Sequence, residues 1–132
     1  MENRPTVLVV EDDVEMNELE RELLDIHGME AMAAYSGTEA LEVMSERSAD
    51  GVLLDLMLPE MDGYEACTRL RERENGSGHR TVIVIISALD NEESRRKGFQ
   101  AGADAYFVKP FDVDEVINTL RVLIDRRSAE SV

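Results

Sequence analysis

The sequence predicts a doubly wound α/β fold, a five-stranded parallel sheet covered by helices on both faces. Three observations point there. The runs Thr6 to Val10 (TVLVV), Gly51 to Leu56 (GVLLDL) and Thr81 to Ile86 (TVIVII) are apolar without alternation, as strands covered on both sides must be. A turn follows each run, and after the first two of these runs apolar residues recur at helical spacing. The 132 residues suit one domain with one proper core and leave no room for a second.

In chain order, Thr6 to Val10 predicts the first strand, and Glu11-Asp12-Asp13 ends it. Met16, Leu19, Leu23 and Ile26 then share one face of a helix, and Gly28 stands where that helix stops. Ala31 to Ala34 reads as a weak second strand. Ser36-Gly-Thr-Glu39 spells a capping box ahead of a helix whose inner face is Ala40, Leu41 and Met44. The third strand runs into Pro59-Glu-Met-Asp62-Gly63, and a helix carrying Tyr64, Cys67 and Leu70 follows. Asn75-Gly-Ser-Gly78 reads as a loop. After the fourth strand, Asn91 to Gln100 is a charged, Gly-interrupted helix of low intrinsic stability, able to move. Ala105 to Val108 is the fifth strand, and Val113, Val116, Ile117, Leu120 and Ile124 mark the final helix. The domain is expected over 5–126, with 127–132 a short polar tail. Alternating strands and helices imply parallel βαβ units, and five of them favour the flavodoxin-like order 2-1-3-4-5.

Composition narrows the function. Lys and Arg total 14 against 29 for Asp and Glu, a formal charge of −15, which repels nucleic-acid phosphates and anionic lipid. No apolar run approaches the roughly 18 residues of a membrane span, and MENRPTVLVV has neither a basic n-region nor a small-residue cleavage site. The expected compartment is the cytoplasm. A single cysteine, Cys67, can form no internal disulfide and reads as packing.

One carboxylate interrupts the most apolar segment: Asp55 in VLLDLMLP. A charge carried unpaired into the interior would cost several kcal/mol, so it must reach water, a partner or a metal. Doubly wound sheets place their ligands at the carboxyl ends of the strands. Glu11 and Asp12, Asp55, Ser87 and Lys109 all stand at such ends. Acids gathered there repel one another, which favours protonation or a divalent cation. Oxygen donors without His or Cys favour Mg²⁺, with Mn²⁺ as the alternative. With that charge shielded, Asp55 can act as an oxygen nucleophile toward phosphorus, while Lys109 and Ser87 cradle the arriving oxygens.

The pieces VLVVEDD, LLDLMLPEMDG, VIVIISA and GADAYFVKPF, in this order and over essentially the whole chain, resemble the receiver domains of two-component response regulators, chemotaxis-regulator-like in type. The resemblance implies that Asp55 is the phosphoacceptor and that Asp12 and Asp55 bind Mg²⁺ directly. Glu11 would act through a metal-bound water, and Met57 through its backbone carbonyl. Ser87 would hydrogen-bond the phosphoryl group, Lys109 would pair with it, and Tyr106 would be the aromatic switch that follows Ser87. Lys109-Pro110 would be a cis peptide. Glu11 stands where Asp is commoner. Met57 and Leu89, both apolar, offer no group to position a hydrolytic water, which implies a long-lived phosphoryl state. The partners implied are a histidine kinase or phosphotransfer protein, and a target protein or an output domain outside this chain. The domain would be a signalling phosphoacceptor with self-catalysed phosphotransfer and autodephosphorylation rather than an enzyme. It would be a stand-alone receiver, a phosphorelay intermediate, or part of a longer regulator.

Other residues have plainer readings. Asp13 caps the first helix, Asp62 before Gly63 is a turn or cap residue, and His27 and His79 are surface groups. Two other classes fit less well. A haloacid-dehalogenase-type phosphohydrolase needs a second Asp where Met57 stands, and a flavodoxin-like electron carrier needs a Ser/Thr/Gly-rich phosphate loop where the acidic turn stands.

Overall fold

The structure is a computed structural model that describes residues 4–74 and 78–130. Ten elements alternate: β1 (Thr6–Val10), α1 (Val14–Ile26), β2 (Glu30–Ala34), α2 (Gly37–Glu46), β3 (Gly51–Asp55), α3 (Gly63–Glu74), β4 (Val82–Ser87), α4 (Glu92–Ala101), β5 (Ala105–Val108) and α5 (Val113–Glu130). All the strand pairs are parallel and the order is β2-β1-β3-β4-β5, as the alternation predicts. Three residues of the expected loop, 75–77, lie outside the described residues. No helix among the described residues is long and apolar enough to cross a membrane.

Side chains alternate across the sheet, so β1 sends Val7 and Val9 to one face and Leu8 and Val10 to the other. The first face packs on Leu24 of α1 and on Val116, Ile117, Leu120 and Ile124 of α5. The second packs on Ala40 of α2 and on Ala66, Cys67 and Leu70 of α3. Cys67 is fully buried, and burial pushes its thiol up to about 11, which suits the packing role read from the sequence.

Four details depart from the sequence reading. The inner face of α1 is Asn17, Glu20 and Leu24, whereas Leu19 and Ile26 are exposed. The amide of Asn17 explains the rotation: its Nδ2 donates to the carbonyls of Val9, Glu11 and Ala34 at 3.2, 3.1 and 3.1 Å. Those oxygens lie toward the carboxyl ends of β1 and β2, where Ala34 O also accepts the Glu11 N–H at 3.1 Å, and the buried Asn17 amide finds its partners only when this face turns inward. β4 ends at Ser87 rather than Ile86 because Ser87 still pairs with Val108, and β3 ends at Asp55 rather than Leu56. α5 continues to Glu130, so the expected tail begins as its last turns. Arg127 holds them, its Nη1 donating to the carbonyls of Asp50 and Arg80 and its Nη2 lying 2.8 Å from Asp50 Oδ1. The two histidines are half-buried, with His27 Nδ1 2.8 Å from Leu23 O and His79 Nε2 3.1 Å from Ala49 O.

The caps agree with the sequence. Asp13 accepts from the Met16 N–H, Ser36 from the Glu39 N–H and Asp62 from the Glu65 N–H.

Candidate functional site

Strand register brings the chemistry to one edge. Val10 pairs with Leu54 and Asp55 with Ile86, so the residues that follow β1, β3 and β4 emerge side by side. Asp55 is 7% exposed and Glu11 4%. Lys109 enters from the end of β5. Its backbone N–H donates to Ser87 O at 2.8 Å, and the Lys109-Pro110 peptide is cis, as the resemblance implies.

The ammonium of Lys109 lies 2.6 Å from Asp55 Oδ2 and 3.4 Å from Glu11 Oε1. Asp55 Oδ1 accepts the Met57 N–H at 2.8 Å, so both carboxylate oxygens are held. Burial and the adjacent Asp55 push the Glu11 carboxyl up to about 7, against the opposing pull of Lys109 and the Asp13 backbone. For Lys109, burial works against its charge, but the hydrogen bond and charge of Asp55, together with Glu11, outweigh it and raise its pKa.

A glycine sets the floor of the site. A Cβ at Gly63 would sit 2.6 Å from both Asp55 O and Leu56 Cα, and the Gly63 N–H donates to Leu56 O at 3.0 Å. α3 therefore begins directly against the backbone of the phosphoacceptor candidate. Only glycine permits that approach.

Ser87 is fully buried, and its Oγ accepts the Leu89 N–H at 3.0 Å. Tyr106 is buried too, and its hydroxyl donates to Leu89 O at 2.8 Å. Leu89 thus ties the serine to the tyrosine through one peptide unit on each side. The Tyr106 ring packs beside Gly98, under the Arg95 guanidinium at 5.2 Å from the ring centroid.

The structure brings Glu11, Asp55 and Lys109 into contact and places Ser87 and Tyr106 in one linked pair. Asp12 stands exposed and takes no part in these bonds, and the Met57 side chain is 64% exposed. Among the described residues no three acidic, histidine or cysteine side chains converge as a ready metal cage. The donor chemistry still fits Mg²⁺. Two buried carboxylates already share a cation, the Lys109 ammonium, and carboxylate oxygens are the hard donors that ion takes. Sequence reasoning missed Asn17 and Glu20, and read Gly63 only as part of a turn. The first two sit at i and i+3 with Leu24 at i+7, a helical stripe that hydropathy hides because two of its members are polar.

Known proteins resemble the chain throughout. It is 37% identical over 126 residues to the transcriptional regulatory protein SrrA of Staphylococcus aureus, covering 96% of this chain and 50% of that one. The receiver domain of the Francisella response regulator 1452 superposes with a TM-score of 0.85 at 32% identity, over 93% of this chain and 98% of that one. The BeF₃-activated receiver domain of Klebsiella pneumoniae RstA does so with a TM-score of 0.81 at 30% identity, over 90% and 97%. The chain spans about half the length of the curated relatives it matches. With residues 7–121 also matching the family model of that name, the chain belongs to the response regulator receiver domains, the phosphoacceptor switches of two-component signalling.

Proposed function

We propose that Asp55 is the phosphoacceptor of this receiver, loaded in the cytoplasm by a histidine kinase or a phosphotransfer protein. The observation that carries this reading is the contact of Asp55 with Lys109 beside Glu11 at the strand ends. Mg²⁺, held by Asp12, Asp55 and the Met57 carbonyl with Glu11 acting through water, would neutralise charge on the phosphoryl oxygens. The chain's own residues do the rest.

An Asp55 oxygen attacks phosphorus, the bond from phosphorus to the donor atom breaks, and the donor leaves with its electron pair. Lys109, already charged beside Asp55, turns its ammonium to a phosphoryl oxygen. The Ser87 hydroxyl donates to another oxygen, and its link to the Leu89 N–H is remade. Tyr106, bonded to Leu89 O, registers that shift at the surface of α4 and β5. Hydrolysis is slow because the exposed Met57 and Leu89 side chains offer no group to orient water. The signal passes to a target protein or to an output domain outside this chain. Neither direct nucleic-acid contact nor membrane contact belongs to this reading, given the charge of −15.

Incubation with acetyl phosphate and Mg²⁺, followed by mass spectrometry, tests the assignment. The expected result is a single acid-stable, base-labile adduct on the wild type and none on Asp55→Asn. An equal adduct on the variant moves the acceptor elsewhere, and labelling that persists in chelator removes the metal from the reading.

A further inference from the structure

Glu20 sits on the buried face of α1, one turn beyond Asn17, and is only 7% exposed. None of the described residues hydrogen-bonds its carboxyl group, yet among the described residues no fully buried side-chain polar atom lacks a partner. Its oxygens therefore keep contact with solvent through that small opening. Side chains on a helix lean toward its N-terminus, and α1 begins at the mouth of the site, just after Glu11-Asp12-Asp13. The Glu20 stem lines a small cavity with Leu53 of β3 and with Phe111, the second residue past Lys109. The charges it feels are those of the site. Burial and then Glu11 push its carboxyl up to about 7, with Lys109 opposing and Asp55 adding to the rise.

A leucine here would join Leu24 against the sheet at no electrostatic cost. A buried carboxylate with no hydrogen-bond partner among the described residues, and under the charges of Glu11 and Asp55, makes the cation-free protein less stable. That penalty shrinks when positive charge enters the pocket, so by linkage it returns as cation affinity.

Building on the phosphoacceptor reading, we propose that Glu20 is a positioning carboxylate for the divalent cation, set behind Glu11 rather than among the ligands. It deepens the negative potential of the pocket and repels the Glu11 carboxyl toward the cation.

Calorimetric titration of the full chain with Mg²⁺ at pH 8, for wild type, Glu20→Gln and Glu20→Leu, tests this, with thermal melting in chelator on the same samples. Both variants should bind Mg²⁺ about fivefold more weakly, the scale of one charge acting through a partly screened interior. Both should melt higher without metal. A purely structural role would move the melting temperature alone, so affinities within twofold of wild type overturn the proposal. Wild-type protein that binds no Mg²⁺ would overturn both this role and the metal part of the phosphoacceptor reading. Wild-type binding with unaltered variant affinity overturns the Glu20 role alone.

Discussion

The Lys109 ammonium is shared by two carboxylates that are each more than nine-tenths buried. Lys109→Met keeps the stem and removes the charge, leaving Glu11 and Asp55 facing each other. Removing one partner of a fully buried ion pair costs about 3–5 kcal/mol. The Lys109 side chain is 30% exposed, so about 2 kcal/mol is the expected loss at pH 8 once solvent screening is discounted. At pH 5 Glu11, raised to about 7, holds a proton and the repulsion is relieved. Urea denaturation at the two pH values should therefore show a large deficit at pH 8 and a small one at pH 5. Equal deficits would mean that Lys109 acts by packing rather than by charge. The same variant should lose phosphorylation from acetyl phosphate, which Glu11→Gln would not abolish.

Among the elements, α4 joins weak intrinsic stability to the switch. Gly98 lies at its centre, where a Cβ would meet Ile85 Cδ1 at 3.1 Å and Tyr106 Cδ2 at 3.3 Å. Gly98→Ala gains about 1 kcal/mol of helix propensity and loses part of it to that contact, so overall stability should change little. The ring should be pushed outward. With fluorotyrosine incorporated, the Tyr106 resonance should move toward its solvent-exposed position while Asp55 still accepts phosphate; an unmoved resonance would show that the inward seat does not depend on Gly98. The sequence could announce such elements but not their contacts. The β1, β3 and β4 strands were legible because a strand covered on both faces must be apolar throughout. Asp55, Glu11 and Lys109 were legible because topology sends strand ends to one edge. The buried face of α1 was not, since Asn17 earns its place by satisfying carbonyls from β1 and β2 that local periodicity cannot see. The length of α5 was hidden for the same reason. Arg127 is anchored by Asp50 and Arg80, both distant in sequence.

For the whole molecule, pH dependence follows from two groups and one background charge. Glu11 and Glu20 are each raised from an ordinary 4.5 to about 7 in the folded chain. Between those values the folded state holds more protons than the unfolded state. The stability of the metal-free protein therefore falls as pH rises through this window and levels off above about 7. The formal charge of −15 also resists compaction, but surface repulsion is screened by salt, whereas repulsion within a buried pocket is screened far less. Melting in chelator and about 0.5 M salt, where the Debye length is only several ångströms, isolates the pocket. The melting temperature should fall by about 5 °C or more from pH 5.5 to 8, since about 1 kcal/mol corresponds to several degrees for a domain of this size. Glu11→Gln with Glu20→Gln should flatten the curve, and Mg²⁺ at pH 8 should restore much of the loss in the wild type. A wild-type curve already flat in high salt would mean that neither carboxyl holds a proton near neutrality, and the electrostatic account of the pocket would fail at its base.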